Sequence, residues 1–227
     1  MSLIIYMYDI VFISYDEVSA DRNYAMLKAR FPMAKRVHGV KGIHQAHINA
    51  AKKCFTKMFW VVDADAKILP DFNFDYIVPE HQLDHVHVWR SQNPITGTEY
   101  GYGGVKLLPT KLTLDVDIDT TDMTTNISTN FVPMPFISNI TAFNTTAFNT
   151  WRSAFRECVK LTINSDFKSK QRLNAWLHPV PNADFRHDAK QGAEQGQTYA
   201  LANKDNLAAI RKINDFDWLK EQYESRT

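Results

Sequence analysis

Residues 52–72 read KKCFTKMFWVVDADAKILPDF. Met58, Phe59, Trp60, Val61 and Val62 make an unbroken apolar run of strand length, and a run without alternation is what a strand buried on both faces requires. It stops at Asp63, and Asp65 follows one residue later. In extended backbone, residues i and i+2 project to the same side, so this spacing aims two carboxyl groups at one ligand.

Upstream of this run the same texture repeats. DIVFIS, residues 9–14, is another apolar strand; SADRNYAMLKARF, residues 19–31, is helical, with Ser19 as cap and Tyr24, Leu27 and Phe31 on one face. A short strand over 35–40 precedes a helix over 43–54 whose buried stripe is Ile43, Ala46, Ala50 and Cys54. Strand, helix, strand, helix, strand within 65 residues predicts an α/β fold with a mixed, mainly parallel central sheet flanked by helices. Downstream, residues 85–89 and 105–109 are short strands, 93–104 a long turn and loop, 114–130 a loop or weak edge, and 136–143 the last strand. The remainder is a helical C-terminal part, with helices over 147–161, 167–177, 193–202, 205–213 and 217–224. No linker stands out, so the expectation is a single domain over 1–227, with a donor-binding half over 1–110 and an acceptor side over 111–227.

Composition narrows the function classes. The chain has 227 residues, 44% hydrophobic and 22% charged, and 26 Lys+Arg against 25 Asp+Glu leave a net charge of +1. That balance carries no overall electrostatic footprint for nucleic acid or an anionic membrane, although 168–172 (KSKQR) and 204–212 (KDNLAAIRK) are locally basic. Two widely separated cysteines, Cys54 and Cys158, argue against a disulfide framework and for a reducing cytoplasm. The apolar opening holds Asp9 and no basic start, so it reads as a buried strand and not a signal peptide. No apolar run approaches the roughly 20 residues needed to span a bilayer, which excludes a membrane-embedded protein.

The aspartates carry the chemistry. In open α/β sheets, ligands gather outside the carboxyl ends of the strands, where Asp63 and Asp65 fall. Two carboxylates held together repel unless a cation lies between them, and Mn²⁺ or Mg²⁺ bound by Asp63, Asp65, phosphate oxygens and water resolves the conflict. Such an ion neutralises charge growing on a departing diphosphate. A pair that merely ends a strand is the plain alternative. His81, His85 and His87 suggest zinc, but no further ligand lies at a suitable spacing. Trp151 and Trp176 fall at helical spacing among apolar neighbours and read as core.

The pattern from Asp9 through Asp65 resembles the nucleotide-sugar glycosyltransferases of the GT-A fold, whose metal motif is D-x-D after a hydrophobic strand. A narrower resemblance rests on YGYGGVKLLP (100–109), FNTWRSAFRECVKL (148–161) and GAEQGQTYA (192–200), which look like the phage TET-associated glycosyltransferases that act on hydroxymethylated pyrimidines in DNA. The broad resemblance implies donor binding by Tyr15, stacking on the base, by Asp16, bonding the ribose, and by Lys41, Gln45 and Asn49. It further implies donor contacts from Asp63 and from the glycine-rich loop at Gly103 and Gly104. It implies a general base at Glu157, where FREC has Cys158 in place of the usual aspartate; Asp184 or the acidic residues Asp115, Asp117, Asp119 and Asp122 are alternatives. A distal metal ligand is implied at His187 or His178, with His187 preferred for its polar flanks. The reading is therefore a metal-dependent transferase taking a sugar from a nucleotide-diphosphate donor, UDP-linked, to a hydroxymethylpyrimidine in phage DNA, in the host cytoplasm. A glycan, lipid or protein acceptor, a nucleotidyltransferase, and a non-catalytic nucleotide- or DNA-binding module stay open, and oligomeric state is not legible.

Overall fold

The computed structural model describes residues 7–117 and 123–226, so Asp119 and Asp122 lie outside the described residues. The chain falls into two compact units, one of residues 7–92 with Glu99–Thr141 and one of Asn93–Thr98 with residues 142–226.

In the first unit β1 (Asp9–Ser14), α1 (Ala20–Arg30), β2 (Lys35–His38), α2 (Ile43–Ala51) and β3 (Met58–Asp63) follow the expected order. β1 pairs in parallel with both β2 and β3, so the chain leaves β1 to one side and returns past it to the other. Right-handed crossovers in opposite directions put α1 and α2 on opposite faces. The side chains agree: Leu27 of α1 packs with Ile10, Phe12, Trp60 and Val62, whereas Ile48, Ala50 and Ala51 of α2 pack with Val11, Phe59 and Val61. Met58, Phe59, Trp60, Val61 and Val62 are all fully buried. At about 1.5–3 kcal/mol for each large side chain removed from water, this strand dominates the apolar stabilisation of the sheet. At the opposite end of β1, Asp9 accepts from the Phe55 and Thr56 amides and pairs with Lys35 at 2.6 Å, which holds the amino ends of three strands together.

The unit continues through β4 (Ala66–Ile68), a 3-10 turn (Glu80–Gln82), β5 (Val86–Gln92), β6 (Glu99–Pro109), α3 (Thr110–Leu114), α4 (Met123–Ile127) and β7 (Phe131–Thr141). The seven strands lie in the order β2-β1-β3-β6-β5-β7-β4. The fold is α/β, as expected, but the sheet is not mainly parallel: β5–β7 joins the two parallel pairs, while β3–β6, β5–β6 and β4–β7 are antiparallel. The first unit also runs past residue 110 to include β7.

Three local readings change. Residues 99–104, expected in a loop, are the first half of β6, and GYGG is strand. Its glycine at 104 answers to packing, because a Cβ there would lie 2.9 Å from the Asn139 side-chain amide. Asn139 is fully buried, accepting from Ser91 and Ser138 and donating to Thr141, so the glycine makes room for a closed polar knot. β7 starts five residues before the expected strand despite Pro133 and Pro135. β4 covers only Asn139, Ile140 and Thr141, leaving the proline-bearing part free of a ladder partner on that side. Between residues 114 and 130, expected to be irregular, the chain ends α3 and forms α4, whose Met123 and Ile127 cover the α2 face. Helices of five residues are too short to show a period.

The second unit holds α5 (Ala147–Asn164), α6 (Phe167–Leu177), α7 (Arg186–Asn203), α8 (Leu207–Arg211), a 3-10 turn (Lys212–Asn214) and α9 (Phe216–Glu224). Four of these helices are capped at their starts, where Thr146, Asp166, Asn206 and Asp215 each accept an amide from the first turn, whereas Ser19, expected to cap α1, makes no side-chain cap bond. α7 begins seven residues earlier than expected, since its first turns are polar and show no apolar stripe. Trp151 and Trp176 are buried, as read from their spacing. Cys54 and Cys158 are free thiols, and Cys54 lies beyond the end of α2.

α5 and α7 approach through Gly192 and Gly196, where a Cβ would come within 2.4 Å of the Trp151 and Phe155 carbonyl oxygens. In an open helix Gly→Ala gains about 1 kcal/mol. Here the added methyl meets backbone that cannot rotate away, and overpacking of this kind costs about 1–3 kcal/mol. Gly196→Ala is therefore expected to lower the unfolding midpoint in urea; an unchanged or raised midpoint would mean that the helices separate without loss.

Candidate functional site

β1 and β3 run parallel and end side by side, and because β2 lies on the other side of β1 the order of strand addition reverses between them, which is the switch point where a doubly wound sheet opens a crevice. Asp63 is the last residue of β3, and Asp65 sits in the turn that leads into β4. Asp63 shares the face of Phe59 and Val61, towards α2.

The same face supplies a cation that the motif reading missed. Lys106 of β6 lies opposite Val61 in the antiparallel ladder, so Asp63, two residues on, is its diagonal neighbour. Diagonal neighbours are roughly 7–8 Å apart, a span that a lysine side chain covers. Its ammonium sits 3.1 Å and 2.9 Å from the two oxygens of Asp63, with 7% of the lysine side chain exposed against 34% of the aspartate. A lone charge in the apolar strand VKLLP was the available signal, because lysine is almost never buried without a partner.

Asp65 is half-buried, and among the described residues no such cation is bonded to it. Burial first, and then the charges of Asp63 and Glu17, push its pKa up to about 7, with Lys106 acting weakly the other way. Glu17, on the loop after β1, is a second acidic neighbour that the spacing did not disclose; its carboxylate accepts the Tyr15 amide at 2.8 Å. On α2, His47 is 2% exposed and donates from Nδ1 to the Ile43 carbonyl at 2.8 Å. Burial, and next the charge of Lys106, lower its pKa to about 3, so it stays neutral, and its Nε2 has no hydrogen-bond partner.

This donor set suits a hard cation. It offers carboxyl oxygens at i and i+2, and burial together with the neighbouring charges of Asp63 and Glu17 disfavours the ionised form of Asp65, a condition that a divalent ion relieves. Among the described residues no third His, Cys, Asp or Glu joins them in a metal-binding group. An Mn²⁺ or Mg²⁺ ion here would complete its shell with phosphate and water.

Of the remaining candidates in this unit, Tyr15 and Asp16 are exposed just past the end of β1. Lys41 is exposed immediately before α2; Gln45 and Asn49 occupy one face of that helix and bond to each other at 2.9 Å. Gly103 and Gly104 lie within β6, and Gly104 faces Asn139, so no glycine loop forms there. Asp115 and Asp117 follow α3. His87 is buried, with its pKa lowered to about 4 by that burial, and bonds Gln82, while His85 pairs with Asp84.

The others belong to the second unit. Glu157 on α5 is 13% exposed and forms an ion pair with Arg172 of α6, which ties two helices together. Asp184 is exposed in the turn before α7, and His187 is exposed in that helix's first turn. His178 caps α6, its ring bonded to the Asn174 carbonyl at 2.9 Å. No helix among the described residues is long and apolar enough to cross a membrane.

No family pattern matches the chain, and no curated protein matches its sequence. Among solved structures, HddC from Yersinia pseudotuberculosis, alone and complexed with GMP-PN, aligns at a TM-score of 0.36 and 13% identity, over 60% of this chain and 89% of that one. A likeness of that size carries no argument about this protein.

The raised pKa of Asp65 has a signed consequence. Its ordinary value is 3.8, so between about 4 and 7 the folded state holds a proton that the unfolded chain releases. Stability contributed at this site falls as pH rises through that window. Asp65→Asn removes the charge and is expected to raise the urea midpoint at pH 8 while leaving it nearly unchanged at pH 4. Equal effects at both pH values would show that Asp65 titrates normally.

Proposed function

We propose that this chain is a metal-dependent glycosyltransferase of the GT-A type, moving a sugar from a UDP-linked donor to the hydroxyl of a hydroxymethylated pyrimidine in DNA. The observation that supports it most is the placement of Asp63 and Asp65 at the carboxyl end of a fully buried parallel strand, beside the end of β1. In this reading the two aspartates hold Mn²⁺ or Mg²⁺, which supplies charge neutralisation for the departing diphosphate. Tyr15 stacks on the base and Asp16 bonds the ribose, both being exposed past β1. Lys41 precedes the first turn of α2, so its ammonium and the positive end of that helix favour the same anion.

The acceptor hydroxyl needs a base. Glu157 is committed to Arg172, so it would have to give up that partner to act.

The net charge of +1 favours a second acceptor class, a glycan, lipid or protein hydroxyl, since grip on duplex phosphates normally draws on excess Lys and Arg. Both readings are tested by nucleotide-sugar turnover in Mn²⁺, with hydroxymethylated DNA, unmodified DNA and no DNA. The expected outcome is sugar on modified DNA alone, reduced at least about a hundredfold in Asp65→Ala, in line with the loss of a transition-state charge contact. Release of nucleoside diphosphate without labelled DNA would move the acceptor to the second class, and no turnover with any donor would overturn the transferase reading.

A further inference from the structure

The pairing of Lys106 with Asp63 makes the two aspartates unequal. Both oxygens of Asp63 lie within 3.1 Å of one ammonium, which is almost wholly removed from water. An ammonium buried to this degree keeps its charge only while its counter-ion stays in place. The ladder register leaves it little choice of partner: Lys106 is pinned opposite Val61, and its neighbours in β6, Val105 and Leu107, are fully buried in the opposite core. On its own face it is bounded by Val61, Leu108 and the apolar side of α2. A divalent ion placed directly on Asp63 would have to share that carboxylate with a positive charge about 3 Å from the same oxygens. At any effective dielectric appropriate to a partly buried site, that repulsion exceeds the thermal energy several-fold. Asp65, held in the turn beyond the strand, has no cation bonded to it among the described residues.

We infer that Lys106 is a positioning residue of this site: a built-in counter-ion that locks Asp63 in the strand and leaves Asp65 as the carboxylate that binds the divalent cation. The inference rests on the metal-site reading above and refines it. The D-x-D pair then works as one fixed internal ion pair and one exchangeable ligand. Such a site binds its ion weakly without a nucleotide, because only one protein carboxylate is free and the nearby ammonium opposes the ion. Added phosphate oxygens supply the missing negative charge, so ion and nucleotide enter together.

The test is Mn²⁺ titration by calorimetry of the full chain without nucleotide, on wild type, Lys106→Met, Asp63→Asn, Asp65→Asn and the Lys106→Met/Asp63→Asn double variant. Circular dichroism checks that each is folded. The expected result is affinity at least about tenfold tighter in Lys106→Met, as the carboxylate of Asp63 is freed and an opposing charge removed. Asp63→Asn in the wild-type background shifts the affinity less than about threefold, whereas Asp65→Asn abolishes binding. In the Lys106→Met background, Asp63→Asn reverses the gain, a coupling that a purely structural lysine would not produce. Unchanged or weaker binding in a folded Lys106→Met, or equal losses in Asp63→Asn and Asp65→Asn, overturns the inference and leaves the metal site standing. Absence of Mn²⁺ binding in wild type and Lys106→Met alike overturns the metal site itself. Where Lys106→Met does not fold, Lys106→Gln keeps the length and removes the charge, and the comparison of Asp63→Asn with Asp65→Asn decides.

Discussion

Burial of β3 on both faces is the constraint from which the rest of the first unit follows. A strand with no exposed residue from Met58 to Val62 can carry polar groups only at its ends, and it must be covered from two sides. The right-handed crossovers through α1 and α2, which run in opposite directions along the sheet, provide that cover. Charges are thereby swept to the two rims of the sheet. At the amino rim, burial acts to raise the pKa of Asp9, but Lys35, the Phe55 amide and Thr56 outweigh it and hold the group below its ordinary value, as a structural anchor does. At the carboxyl rim, Asp63 and Asp65 meet fewer donors than acceptors, as a ligand site does.

That contrast between rims separates structure from chemistry. Asp9 is satisfied four times over by neighbours that are always present. Asp65 is pushed towards the neutral form by burial first and then by the charges of Asp63 and Glu17. Proteins keep such electrostatic frustration where something else is to bind. Lys106 relieves half of it and His47 none, since the imidazole is neutral and its free nitrogen is an acceptor.

The second unit is held by a different device. Ala189, Gly192, Ala193, Gly196 and Ala200 make one side of α7 nearly smooth, and α5 lies directly on it. The close approach frees the flanks of α5 for aromatic packing, where Trp151 stacks on Phe155 and both meet Tyr223, Tyr199 or Trp218 edge-on or tilted. Glu157 and Arg172 add an ion pair between α5 and α6. A carboxylate with a dedicated partner in a helix interface reads as scaffold.

Local, periodic information was enough for much of this. The apolar run at 58–62, the alternation of strands and helices before it and the burial of Trp151 and Trp176 were all legible in the sequence. Each depends on residues within one or two turns or strands of one another. What the sequence could not disclose depends on register. The strand identity of GYGG follows from Asn139, far along the chain, needing the space beside Gly104. The even mixture of parallel and antiparallel pairs follows from where β6 inserts between β3 and β5. The partners of Asp63 and Glu157 were set by which long side chain the ladder or helix contact brought within reach. Spacing along one chain determined that two carboxylates would share an end of a strand; only the tertiary structure decided which of them is already spoken for, because a salt bridge between residues 43 positions apart is created by packing and leaves no local trace.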